Sequence, residues 1–253
     1  MLFSTTIALT IAAFAFASPS SDPVTRALPP KAALITSCTV PGTVALTFDD
    51  GPFTYLQTVV DTLKAAGAVG TFFFNGNNYE CIYSADNIKR VQYAYSNGHQ
   101  VCSHTWAHLD LATLTQANIT SEMARTDQAI QRILGVVPAF FRPPFGSYND
   151  LVLTVAGSRG QTAVTWDLDS GDSSNFTVAQ TNAVYDAVVL KKPSTILALN
   201  HEVYLTTANS TLPYALGVLK KAGYKMVSVA DCLGQKPYLS IGPPGIPAAD
   251  WIC

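Results

Sequence analysis

The sequence predicts an α/β fold, a single domain built as a distorted parallel (β/α) barrel of about seven strands, with a doubly wound open sheet as the competing arrangement. Short apolar runs of strand length recur at 43–48, 71–74, 100–103, 139–142, 162–166, 195–199 and 225–229. Between them lie stretches with helical spacing: Leu56, Val59, Val60 and Leu63; Ile88, Val91 and Tyr95; Ile119, Met123, Ile130 and Leu134; Leu212, Ala215, Leu216 and Leu219. Gly67, Gly98, Gly135 and Gly223 stand where those helices should stop.

Residues 1–17 carry an apolar core from Ile7 to Phe14 and the small-residue pattern Ala15-Phe16-Ala17, which reads as a removable secretory signal. The apolar stretch is shorter than the ~20 residues that a spanning helix needs. Residues 18–36, with Pro19, Pro23, Pro29 and Pro30, read as an extended leader outside the core. The domain is placed at 37–235, and a proline-bearing tail at 236–253 is expected to wrap the surface. Neither a cysteine-rich binding module nor a hydrophobic C-terminal anchor signal is expected, and the protein is expected to be a monomer.

Charged residues make up 13% of the chain and the formal net charge is -2, which argues against nucleic acid or an anionic membrane as partner and suits a neutral substrate. The five cysteines, Cys38, Cys81, Cys102, Cys232 and Cys253, lack the spacing of a zinc or redox motif. In an exported chain they read as one or two disulfides plus a free thiol, with Cys38–Cys232 favoured because the two flank the domain. Sequons at Asn118, Asn175 and Asn209 agree with a eukaryotic secretory route and a glycoprotein.

In a parallel barrel the chemistry gathers after the strands' C-terminal ends. The polar clusters of this chain fall there. Asp49-Asp50-Gly51-Pro52 follows the first run and reads either as an ordinary turn or as a site dividing a metal-ligand role from a base role. His104-Thr105-Trp106-Ala107-His108 follows the third, a spacing that would put both imidazoles on one side of a helical turn. It is not the zinc-protease motif, because Thr105 stands where that motif has glutamate. Arg142-Pro143-Pro144-Phe145 follows the fourth run, Asp167, Asp169 and Asp172 the fifth, and His201 the sixth. His99 reads as structural, and Asp167 and Asp169 as helpers or loop caps.

Taken in order, Thr47-Phe48-Asp49-Asp50-Gly51-Pro52, His104 to His108, Arg142 to Phe145, Asp169-Ser170-Gly171-Asp172 and Leu199-Asn200-His201 resemble the five motifs of the polysaccharide deacetylases of the NodB-homology type. These form carbohydrate esterase family 4, and the likeness is to its fungal chitin deacetylases. The resemblance implies a metal held by Asp50, His104 and His108, with Asp49 as the base; which aspartate does which comes from the family. Zn2+ is the expected ion, with Co2+ or another divalent transition metal as substitutes. An open fourth position would hold a water and lower its pKa toward ~7.

Amide hydrolysis also needs oxyanion stabilisation and a proton for the leaving amine. Arg142 is expected to pair with Asp49 and keep it ionised, and the Phe145 amide, first after two prolines, to meet the oxyanion. His201 is expected to be the general acid, oriented by Asp172. The implied reaction is removal of N-acetyl groups from chitin or chitooligosaccharides. O-acetyl xylan or peptidoglycan substrates, or a carbohydrate-binding barrel without turnover, are the alternatives. Two departures from the family pattern bear on substrate fit: Ser173 in place of an aromatic residue, and Asn200 and Glu202 flanking His201.

Overall fold

The computed structural model describes residues 1–3 and 30–253. The signal segment, apart from its first residues, and the leader up to residue 29 lie outside them. In chain order the elements are β1 (Leu34–Ile35), β2 (Thr43–Asp49), α1 (Leu56–Ala65), β3 (Gly70–Phe74), α2 (Ala85–Ser96) and β4 (Gln100–Ser103). Next come α3 (Gln116–Leu134), β5 (Val136–Pro138), β6 (Phe140–Phe141), α4 (Asp150–Ser158), β7 (Thr162–Val164) and β8 (Leu168–Asp169). The chain continues through α5 (Val178–Lys191), β9 (Thr195–His201), α6 (Leu212–Lys221), β10 (Lys225–Met226), α7 (Val229–Leu233) and β11 (Tyr238–Ile241).

The main sheet is parallel throughout, in the order β1-β7-β6-β4-β3-β2-β9-β8, with β10 against the start of β2. Its ends, β1 and β8, are separate edges, so the sheet curls into a distorted barrel without closing through hydrogen bonds. The leader's last residues are part of this sheet, since Leu34–Ile35 adds an edge strand to β7. The run at 225–229 divides: β10 ends at Met226, and Ser228 accepts from the Asp231 amide to start α7 at Val229.

Side-chain alternation along β2 sorts the core into two layers. Val44, Leu46 and Phe48 face outward and pack with Val59, Val60 and Leu63 of α1 and Leu216 and Leu219 of α6. Ala45 faces inward with Phe73, Phe140, Val164 and Leu197, above a floor of Cys38, Cys232 and the apolar face of α7. Each of the fully buried aliphatic and aromatic side chains contributes on the order of 1.5–3 kcal/mol. The next two inward positions of β2 are Thr47 and Asp49, so the inside of the barrel turns polar toward its upper mouth. All four predicted helix-stop glycines have positive φ; at Gly135 (+78°), a left-handed residue that closes α3, a side chain would also collide with the carbonyl of Gly242.

Cys38–Cys232, the favoured pair, forms, Cys81–Cys253 forms as well, and Cys102 is left as a buried thiol. Cross-links closing separations of 194 and 172 residues contribute about 2–5 kcal/mol each. The tail is more than a wrapping: β11 pairs antiparallel with β5, Asp250 meets Arg132 at 2.6 Å, and Trp251 packs on Tyr83. Among the described residues no helix is long and apolar enough to cross a membrane.

Candidate metal centre and active site

Asp49 closes β2 and its side chain turns inward, whereas Asp50 has a left-handed backbone (φ +73°), a conformation that aspartate tolerates better than most residues. That reversal gives two consecutive carboxylates different partners: Asp49 puts Oδ1 on Arg142 and leaves Oδ2 3.6 Å from His104 Nε2, whereas Asp50 meets both imidazoles. Asp50 Oδ1 lies 3.3 Å from His108 Nε2 and 3.7 Å from His104 Nε2, and one ligand atom from each of the three residues falls within 4.8 Å of the others. An oxygen and two imidazole nitrogens converging in this way fit a divalent cation with a coordination position left free.

The imidazoles meet by a different route from the predicted one. Residues 104–108 form an irregular loop and not a helical turn; Thr105 (φ +70°) and His108 (φ +53°) are both left-handed, and these kinks bring the rings to 4.9 Å between centroids. His104 Nδ1 lies 2.8 Å from the Arg142 carbonyl, so this nitrogen carries the proton and donates, leaving the Nε2 lone pair toward Asp50. Burial pushes the His104 imidazole down to about 3, which keeps it neutral and ready to act as a ligand.

Arg142 is wholly enclosed, with its guanidinium 4.2 Å above the Phe73 ring. Its Nη1 donates to Asp49 Oδ1 at 2.8 Å and Thr47 Oγ1 at 2.6 Å, Nε to the Val164 carbonyl at 3.2 Å, and Nη2 to the Thr165 carbonyl at 2.9 Å. Asp49 itself is almost fully buried. Burial raises its carboxyl above the ordinary carboxylate range, and Arg142 is the largest influence holding it down. Arg142 thus pulls against the proton, while desolvation outweighs that pull and leaves a more basic carboxylate.

His201 closes β9 directly beside Asp49 in the register. Its Nδ1 lies 2.8 Å from Asp172 Oδ1, and the other Asp172 oxygen accepts from the His201 amide and the Thr207 hydroxyl, each at 2.7 Å. Burial alone would lower this imidazole, but the hydrogen bond and charge of Asp172 overcome it and raise the group to about 9.

Asp49, Asp50, His104, His108 and His201 line one cleft of about 430 Å³ together with Phe145, Trp166, Asp169, Ser173, Leu199 and Tyr204. Phe145 has a left-handed backbone (φ +60°), and its exposed ring lies 4.6 Å from that of His108. Asp167 Oδ1 accepts from the Leu197 amide and Asp169 Oδ1 from the Gly171 amide. His99 is buried well away from the cleft and accepts from the Gly70 amide.

The departure at Asn200 and Glu202 faces away from the cleft. Asn200 and Glu202 alternate with His201 along the chain: Asn200 accepts from the Tyr185 hydroxyl at 2.7 Å, and Glu202 accepts from the Phe53 amide at 2.9 Å. Ser173 does reach the cleft, where Trp166, Leu199 and Tyr204 supply apolar wall. Trp166 and Tyr204 carried no sequence signal of a site role, and neither did Asn75, Asn78 and Glu122, which brace the ligand loops. Glu122 of α3 accepts from the Ala107 amide at 2.8 Å.

A family model described as polysaccharide deacetylase matches residues 36–164. A chitin deacetylase of a Pestalotiopsis species is 40% identical over 210 residues, which cover 81% of this chain and 68% of that protein. A chitin deacetylase of Colletotrichum lindemuthianum is 34% identical over 242 residues, covering 94% of this chain and 98% of the other. The solved structure of the chitin deacetylase from the fungal pathogen Colletotrichum lindemuthianum matches with a TM-score of 0.77 at 34% identity, over 82% of this chain and 94% of that one. A curled parallel barrel with an Asp-His-His cluster at its mouth, matched over most of its length by such relatives, places the chain in the polysaccharide deacetylase family, as a metal-dependent enzyme.

Proposed function

We propose that the protein is a secreted deacetylase that hydrolyses the N-acetyl groups of N-acetylglucosamine units in chitin or chitooligosaccharides, releasing acetate and leaving free amines. The observation that carries this reading is the convergence in one cleft of the Asp50, His104 and His108 cluster with a buried carboxylate, Asp49, and an Asp172-held imidazole, His201. Curated relatives named chitin deacetylases at 40% and 34% identity support the substrate. The two disulfides support an oxidising, extracellular destination.

An oxygen and two imidazoles suit Zn2+, with Co2+ an effective substitute. Held there, the cation supplies Lewis acidity to the attacking water and to the developing oxyanion. Asp49 accepts the proton of that water, and Arg142 fixes which carboxylate oxygen is free to do so. The Phe145 amide faces the oxyanion. With Asp172 fixed on Nδ1–H, His201 presents Nε2–H to the departing nitrogen. Trp166, Leu199 and Tyr204 enclose the acetyl group.

The proton-carrying form of His201 persists to about pH 9, so kcat on a chitooligosaccharide is expected to decline only as pH rises through that value. Asp172→Asn removes the charge that raises the imidazole and should draw the alkaline limb down toward ~6.5. By the same sign, the His201–Asp172 pair stabilises the fold fully below ~6.5, and that contribution is lost as pH rises through about 9. An unchanged alkaline limb in Asp172→Asn would remove His201 from the acid role.

Acetate release from chitopentaose, acetylated xylan and peptidoglycan, measured side by side, tests the substrate. Release at least ten times faster from chitopentaose is the expected result. A preference for xylan or peptidoglycan would reassign the substrate within the family, and sugar binding without acetate release in added Zn2+ would point to a non-catalytic barrel.

A further inference from the structure

Between β3 and α2 the chain passes directly behind the ligand cluster, and one residue there bonds both ligand loops, one through its side chain and the other through its backbone N–H. Asn75 is buried, at 1% exposure. Its amide Nδ2 donates to two successive carbonyls, His104 at 2.5 Å and Thr105 at 3.1 Å. Its Oδ1 accepts from Asn78 Nδ2 at 3.3 Å, and the same Asn78 nitrogen lies 3.4 Å from Asp50 Oδ1. Its backbone N–H donates to the Gly51 carbonyl at 2.8 Å. The next two amides, of Gly76 and Asn77, donate to the carbonyls of Thr105 and Trp106.

We infer that Asn75 is a positioning residue for the metal, setting the separation between the loop that carries Asp50 and the loop that carries His104 and His108. Both loops are irregular and rely on left-handed residues at Asp50, Thr105 and His108, a conformation that costs a β-branched residue such as Thr105 on the order of 1–3 kcal/mol. Regular structure does not hold that geometry. Two carbonyls aimed at one amide hold Thr105 in its kink, and only a group with two donors and an acceptor on the same carbon can bond both carbonyls while reaching Asn78. Aspartate has the same shape and no N–H, so it would set oxygen against both carbonyls and a second carboxylate near Asp50.

The inference rests on the metal reading of the cluster, and the test separates the two. Affinity for Zn2+ alone is measured by competition with a chromogenic chelator for the parent chain, Asn75→Asp, Asn75→Ala, the exposed-site variant Asn78→Ala, and a core control, Val91→Ala in α2. Thermal melting of the metal-free proteins is recorded in parallel. Both Asn75 variants are expected to bind Zn2+ ~10–100-fold more weakly than the parent, and Asn78→Ala several-fold more weakly. Val91→Ala should melt earlier with its Zn2+ affinity unchanged. If the Asn75 variants bind Zn2+ within twofold of the parent, or Val91→Ala loses affinity in proportion to its melting shift, the inference is overturned. Should an Asn75 variant not fold, Asn78→Ala decides alone: parental affinity there breaks the proposed link. A parent chain that binds no Zn2+ would refute the metal reading itself.

Discussion

Asp49→Asn is expected to keep its metal and to lose turnover by about 10²–10⁴-fold, the range that a positioned general base contributes. Asparagine preserves the shape of the side chain and an oxygen for Arg142, so the enclosed guanidinium stays paired and the fold is retained. The Asp50, His104 and His108 cluster is untouched. What disappears is the basicity of a carboxylate whose affinity for a proton is raised by burial. Elemental analysis of the purified variant together with acetate release from a chitooligosaccharide reads both halves of the outcome. A variant with parental metal content and activity within tenfold of the parent would move the base elsewhere.

Asp50→Ala is expected to lose metal and activity together. Removing a residue that merely orients a ligand costs ~10–100-fold in metal affinity, and removing the single oxygen donor of a three-residue cluster should exceed that. His104 and His108 would remain close but would offer only two nitrogens, and the one aspartate neighbour, Asp49, is held through Oδ1 by Arg142. Zn2+ titration of the variant beside Asp49→Asn makes the comparison: adjacent carboxylates of identical chemistry, one change that spares the cation and one that expels it. Metal retention by Asp50→Ala would reverse the assignment of the two.

Much of this site was legible because its residues sit in short local patterns. Each ligand and each proton carrier follows an apolar run, and a parallel sheet gathers those run ends at one mouth whatever the details of its closure. The helices were read where one face contrasted with the other. Three escaped: the five-residue α7, and two in which that contrast is missing. In α4 the stretch Leu151-Val152-Leu153-Thr154-Val155-Ala156 is apolar nearly throughout, so it has no visible period, and in α5 only Thr181 and Tyr185 are buried while Leu190 is exposed. The His104 to His108 spacing led to the right convergence for the wrong local reason, since four-residue separation suits a helical turn as well as a loop with two left-handed kinks. Trp166, Tyr204 and Asn75 gave no signal because their part depends on what the fold sets opposite them.

The bond between Cys81 and Cys253 links the tail to the same β3–α2 segment that stands behind Asp50 and His104, and the Cys253 sulfur also leans on the Gly76 carbonyl. A change of either cysteine would strand its partner as a lone thiol beside the catalytic mouth, so the two are expected to be kept or lost together. Natural variation in the last few residues should consequently be matched by variation some 172 positions earlier, and grafting the tail of one relative onto another without its counterpart would deliver a mismatched hinge.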